Sequence, residues 1–258
     1  MTTKRGLRPW RRGRGAWLGL VLVLVLVLAG VAAGCSPGPS DDALRARARS
    51  DEAVARRTVE ERKMRKLIRR MKAVKGLEHI RTRFLDLCAT PTDGNLFEPP
   101  QSPDALECGM RAEVYLGVRG DITDVLRSIR AAHLAPWGSP VRATEGDSPT
   151  AGGTVAYALT YQRERGRFPD GTLMPGPRLE APGLSIDWDR PGLPLPGMIE
   201  DFAPCPADGS GRIYQRCEVT PGAPATLAAA RARYGTVLVL VAEGHGSSDA
   251  YFTVARDG

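Results

Sequence analysis

Apolar residues fall along this chain in three rhythms, and each predicts a different element. Residues 16–29 are apolar without a break, a Leu/Val run closed by Ala29. As a helix rising about 1.5 Å per residue, this run extended to Ala33 spans roughly 27 Å, close to a hydrocarbon core of about 30 Å. A strand reading fails in lipid, where an isolated strand leaves its backbone polar groups unsatisfied. Further on, Met64, Leu67, Ile68, Met71, Val74, Leu77, Ile80, Phe84 and Leu87 recur three and four residues apart. That spacing predicts one face of an amphipathic helix, within a proline-free stretch of Arg, Ala, Glu and Leu at residues 44–87. Gly76 interrupts it, at about 1 kcal/mol relative to Ala.

Beyond residue 88 the rhythm shortens to two. Ala112, Val114, Leu116 and Val118 predict a strand. Asp121 then caps a helix with the stripe Ile122, Val125, Leu126 and Ile129, which Pro136 and Gly138 end. Residues 154–161 read as a second strand through Tyr157, Leu159 and Tyr161, and residues 183–188 as a weaker third. Residues 189–224 carry seven prolines and read as a covering loop. A short Ala-rich helix at 225–234 precedes the continuous apolar run 236–242, which has the composition of a central strand, and a final strand at 250–255. The predicted class is α+β: a mainly antiparallel sheet in the order βαββαββ with helices on one face, ferredoxin-like in its simplest form.

Charge sharpens this division. Of the net +7, the first 34 residues supply +6, from Lys4, Arg5, Arg8, Arg11, Arg12 and Arg14 with no acid. Residues 41–87 hold 15 basic and 8 acidic side chains, a balance of +7, whereas residues 88–258 hold 15 and 21, a balance of −6. The excess basicity therefore lies in the leader and the first helix, which argues against nucleic acid as a partner. The basic helix reads first as a solvated, Arg-rich face; the alternative is attraction to anionic headgroups through residues 44–87, worth up to about 1 kcal/mol per basic residue near the surface. Glycine and proline follow no fixed period, which excludes collagen and repeat architectures.

The basic start, apolar run and small-residue exit have the order of a secretory signal. The exit reads Val31-Ala32-Ala33-Gly34-Cys35, followed by Ser36-Pro37-Gly38-Pro39-Ser40. Small residues immediately before a cysteine resemble the lipobox of bacterial lipoproteins, with Ala32 where Leu is commonest. The resemblance implies that Cys35 carries a diacylglyceryl group and becomes the first residue of the mature chain. It covers only the first 35 or so residues. An uncleaved signal anchor, or cleavage near Ala33 with release, are the other readings of the same segment. In each, the basic end stays cytoplasmic and the body is exported.

Setting Cys35 aside leaves Cys88, Cys108, Cys205 and Cys217, an even number in an exported chain. Three connectivities are open. Cys88–Cys108 and Cys205–Cys217 are favoured because each closes a short segment rich in Pro and Gly. Each would stabilise by about 3 kcal/mol on a chain-entropy estimate. Neither pair has the close spacing of a zinc site, and His79, His133 and His245 are far apart, so no metal or other cofactor is expected.

Catalytic candidates are few. Gly244-His245-Gly246-Ser247-Ser248-Asp249 reads as a hairpin turn without the nucleophile elbow, and Gly146-Asp147-Ser148 as a Gly/Pro loop. Asp187-Trp188-Asp189 offers two carboxylates beside a ring, but in a strand the acids share one face and Trp188 takes the other. Arg119-Gly120-Asp121 matches an adhesion tripeptide in which Asp121 already has a capping role.

The expected organisation is a leader or anchor at 1–34, a tether at 35–43, a basic helical stalk at 44–87 and a disulfide-bonded α+β domain at 88–258. The expected function is binding or interaction by a lipoprotein on the extracytoplasmic face of the cell membrane. The alternatives are an extracytoplasmic hydrolase or carbohydrate-active enzyme using Asp187, Asp189 or the His245/Ser247 region, and an accessory subunit of an envelope complex docking through the 64–87 face.

Overall fold

A computed structural model of the chain describes residues 38–91, 102–138, 153–207, 211–220, 226–244 and 250–256. Residues 1–37, among them Cys35 and the expected leader, and residues 146–148 and 245–249 lie outside them. No described helix is long and apolar enough to cross a membrane.

The described residues hold five helices and seven strands, an α+β arrangement on one antiparallel sheet. The helices are α1 (Asp41–Ala48), α2 (Asp51–Lys72), α3 (Ile122–Ala131), α4 (Val155–Arg163) and α5 (Leu227–Tyr234). The strands are β1 (Leu77–Ala89), β2 (Asp104–Val118), β3 (Leu179–Ala181), β4 (Leu184–Trp188), β5 (Arg212–Thr220), β6 (Val237–Glu243) and β7 (Ala250–Ala255). Across the sheet they run β3-β4-β6-β2-β1-β5, and β7 pairs with the first half of β2. The element order is therefore ααββααβββαββ, longer than the expected βαββαββ.

The expected helix over 44–87 is corrected at both ends. Ser40 caps α1 and Ser50 caps α2, each side chain accepting from the backbone N–H three residues on. The second helix stops at Lys72, and Gly76, at φ +86°, turns the chain into β1. In β1 the residues that looked helical divide between two faces: Phe84, Asp86 and Cys88 are buried under the helices, while Leu85 and Leu87 sit on the opposite side with Arg83. The 3–4 spacing over 77–87 coincided with a strand. Nor are residues 44–72 a free stalk, because Met64, Ile68 and Met71 pack in the core with Phe84, Val114 and Leu116.

Two further expectations change. Residues 154–161 form helix α4, not a strand: the Thr154 hydroxyl accepts from Tyr157 N–H at 3.0 Å, and Val155, Ala158 and Tyr161 are buried at three-residue spacing. Their β-branched and aromatic content had favoured a strand. The loop at 189–224 contains β5, an edge strand whose polar residues are satisfied by α2. Arg216 bonds Glu61, and Glu218 accepts from Arg65 at 2.7 Å. Burial pushes Glu61 up, but the bonds from Arg216 and Arg65 outweigh it and hold the carboxyl below its usual range.

Faces alternate cleanly on the central strands. Ala112, Val114 and Leu116 of β2, with Leu238, Leu240 and Ala242 of β6 and Leu184, Ile186 and Trp188 of β4, form the core beneath α2, α3 and α4. Leu44 and Ala48 of α1 extend this layer over Cys88, Cys108 and Phe252. The helices are not all on one face, however. Leu227 and Ala230 of α5 pack on the reverse side with Tyr115, Val237 and Val239.

Candidate functional site

The reverse face of the sheet carries the candidate site. Strand alternation and register build two cross-strand rows there: Ser185–Val241–Glu113–Arg83, and beside it Asp187–Val239–Tyr115–Arg81. An apolar stripe, Val239 and Val241, thus lies between polar groups. Above these rows runs the segment that follows β4, residues 189–207, here called the strap. It leaves the sheet at β4 and reaches the far edge at β5.

The strap is fastened along its whole course. Asp187 accepts from Arg190 at 3.0 Å and from Met198 N–H at 3.2 Å. Arg190, itself 5% exposed, donates to the carbonyls of Pro177, Leu195 and Pro196. Midway, the Phe202 ring meets Tyr115 edge-on at 4.6 Å between centroids. Arg81 and Arg83 donate to the carbonyls of Ala203 and Pro204. The Cys205–Cys217 disulfide and the Gln215 bond to the Pro206 carbonyl close the far end on β5. Gly197 is required by close approach: a Cβ there would stand 1.9 Å from the Trp188 carbonyl oxygen.

Between strap and sheet lies an open groove of about 720 Å³. Its floor is Val239, Val241, Tyr115 and Glu113; Arg111 and Arg178 stand on one side, and Leu195, Met198, Glu200 and Asp201 come from the strap. Glu113 is buried and held between two guanidiniums, Arg83 and Arg111, the latter at 3.2 Å. Arg111 also reaches Glu243 at 2.8 Å, and Arg178 donates to the Ser185 hydroxyl at 2.8 Å. Burial raises the Tyr115 phenol above its ordinary pKa. Met198 is 84% exposed at the rim. The groove therefore offers an apolar strip flanked by fixed charges of both signs, the composition of a binding surface.

Sequence-level candidates fare differently. Asp187 lines the groove, with Trp188 fully buried on the other face, as the alternation required. Asp189 stays outside it, accepting a forked bond from Arg231 (2.7 Å at its shortest) and one from Val237 N–H at 3.1 Å. The bond from Arg231 to Asp189 holds the guanidinium pKa above its ordinary value. Both carboxylates thus accept hydrogen bonds from backbone N–H groups and arginine. Asp121 caps α3, its carboxylate accepting from Thr123 N–H at 2.6 Å. Of the 64–87 set, Met64, Ile68, Met71, Val74 and Phe84 are buried in the core, while Leu67, Leu77, Ile80 and Leu87 are half-buried. His79 bonds the Thr82 hydroxyl at 2.9 Å.

The Cys88–Cys108 and Cys205–Cys217 pairings are the favoured ones, and they serve different layers. The first joins directly opposed residues of β1 and β2, buried beneath α1 and α2. The second ties the strap to the sheet. Sequence reasoning missed the Arg83–Glu113–Arg111 cluster because Arg83 was assigned to a helix. The signal that could have found it was Arg111 and Glu113 alternating with Ala112 and Val114. No protein-family model, curated protein or solved structure matches this chain.

Proposed function

We propose that this protein is an exported lipoprotein, anchored through Cys35 on the extracytoplasmic face of the cell membrane, that binds a ligand or partner in the groove under the strap. Residues 1–34 act as the leader helix that delivers it. The observation that carries the reading is the pair of disulfides, since such bonds persist where thiols are oxidised and are rare in the cytosol. The lipobox-like exit before Cys35 adds the mode of attachment. Binding is favoured over hydrolysis because Asp187, Asp189, Arg190 and Glu113 are each committed to partners within the protein.

Intact-mass spectrometry of protein extracted from membranes tests this directly. The expected species begins at Cys35, carries acyl chains and has lost the thiol hydrogens of both bridges. Full-length chain recovered from the cytosol with every thiol free would overturn the proposal.

A further inference from the structure

The outward side of α2 differs in kind from the rest of its surface. Arg62, Lys66 and Arg69 recur four and three residues apart, so they stand on one face, directly opposite the buried Met64, Ile68 and Met71. All three are exposed, and among the described residues none has an ion-pair or hydrogen-bond partner. Among the other members of this face, Ala55, Thr58, Val59 and Ala73 carry no charge, Val59 is 48% exposed, and the one acid, Asp51, lies about three turns before Arg62 at the start of the helix. Neighbouring cations on the same helix are neutralised instead: Arg56 by Glu52, Arg57 by Asp86, Lys63 by Glu60 and Arg65 by Glu61. Two turns of helix thus present a positive row about 10 Å long with no acid within it.

Chain length says what lies nearby. Five residues lie between Cys35 and the first residue of α1, Asp41, and the six steps, fully extended, reach at most about 20 Å. An acyl chain on Cys35 would therefore keep the start of α1 within that distance of the headgroups. We infer that the Arg62–Lys66–Arg69 face of α2 docks on anionic lipid, which turns the groove, on the opposite side of the sheet, away from the bilayer and toward its ligand. The inference rests on the lipid-anchor reading above. Each basic side chain at such a surface is worth about a fivefold shift in the docked population at low salt.

The test uses the acylated full chain on vesicles of phosphatidylcholine alone or mixed with phosphatidylglycerol, treated with an amine-acylating reagent. Labelling at Lys66 is expected to slow by roughly tenfold or more on the anionic vesicles. The difference should vanish at high salt and in Arg62→Glu/Arg69→Glu, whose altered side chains are exposed and unpartnered. Equal Lys66 labelling on both lipids, with acylation confirmed by intact mass, overturns docking and leaves the anchor standing. An unacylated chain overturns the anchor and the inference together.

Discussion

Asp86 of β1 and Arg57 of α2 meet at 3.0 Å in the seam between helix and sheet, where the carboxylate is fully buried. Tyr251 of β7 donates to the same carboxylate at 2.8 Å. Arg57 donates to the Ala48 carbonyl at 3.0 Å and lies 4.1 Å from the Tyr214 ring centroid. Burial pushes the Asp86 pKa up, while the Tyr251 bond and the Arg57 and Arg216 charges pull against it. Burial likewise raises the Tyr251 phenol, followed by the Asp86 charge. One ion pair thus joins α1, α2, β1 and β7.

Removing one partner should cost far more than removing both. Arg57→Ala leaves the buried carboxylate with only the longer 3.8 Å contact to Arg216 and is expected to lose about 3 kcal/mol. Arg57→Met combined with Asp86→Leu removes both desolvated charges and should recover most of that loss. Urea unfolding midpoints of the wild type, the single and the double variant measure this. A double variant no more stable than Arg57→Ala would show that the seam depends on the charges themselves.

His79 gives the fold a pH dependence on the acid side. Burial, then the nearby Lys72 charge, lower its pKa to about 4. The unfolded imidazole titrates near 6.5. Between these values the unfolded chain takes up a proton that the folded chain refuses, so stability is complete above about pH 6.5 and falls as pH drops toward 4. Because the ring is only half-buried, solvent screening reduces the loss to about 1–2 kcal/mol. His79→Gln keeps a hydrogen-bonding group for Thr82 without the titration. The difference in unfolding free energy between wild type and variant should change across this range and stay flat above pH 7. A constant difference would remove His79 as the cause.

Much of this architecture is legible in the chain where one periodicity has no rival. The alternation at 112–118 and the apolar run at 236–242 lie in β2 and β6, and Asp121 and the stripe after it give α3. Reading failed where two periods overlapped, as in β1, whose apolar positions were three and four apart by coincidence. It failed again where tertiary partners replaced local pattern, since the polar residues of β5 are stabilised by Glu61 and Arg65 of a distant helix. The groove shared the fate of β1: with Arg83 placed on a helix, its bond to Glu113 could not be foreseen.

Gly76 marks the change from helix to strand, and a side chain there should be felt twice. Its φ of +86° disfavours any L residue, and a Cβ would stand 2.8 Å from Val125 Cγ2 of α3. Gly76→Ala is expected to cost about 1–3 kcal/mol. Combining it with Val125→Ala should relieve the clash and leave the backbone cost. Thermal unfolding of the two variants separates the contributions; equal stability of Gly76→Ala and wild type would exclude both.

The strap is held at opposite ends by unlike means, so its two fastenings can be released separately. At β4 the Trp188 carbonyl leaves no room for a Cβ on residue 197, and the obstacle is backbone of a paired strand, not a side chain that can swing aside. Gly197→Ala should therefore lift that end and break the bond from Met198 N–H to Asp187. At β5, Cys205→Ser/Cys217→Ser frees the other end and should cost about 3 kcal/mol by the entropy of the opened loop. Limited proteolysis reads both: cleavage within 194–204 should quicken in each variant and most when the two are combined. Hydrogen exchange in β2 should stay near the wild-type pattern, because the Cys88–Cys108 bridge and the α2 core lie on the other side of the sheet. Unchanged cleavage in the Gly197→Ala chain would mean that the strap is positioned by its disulfide alone, and exchange spreading into β2 would mean that strap and sheet unfold as one.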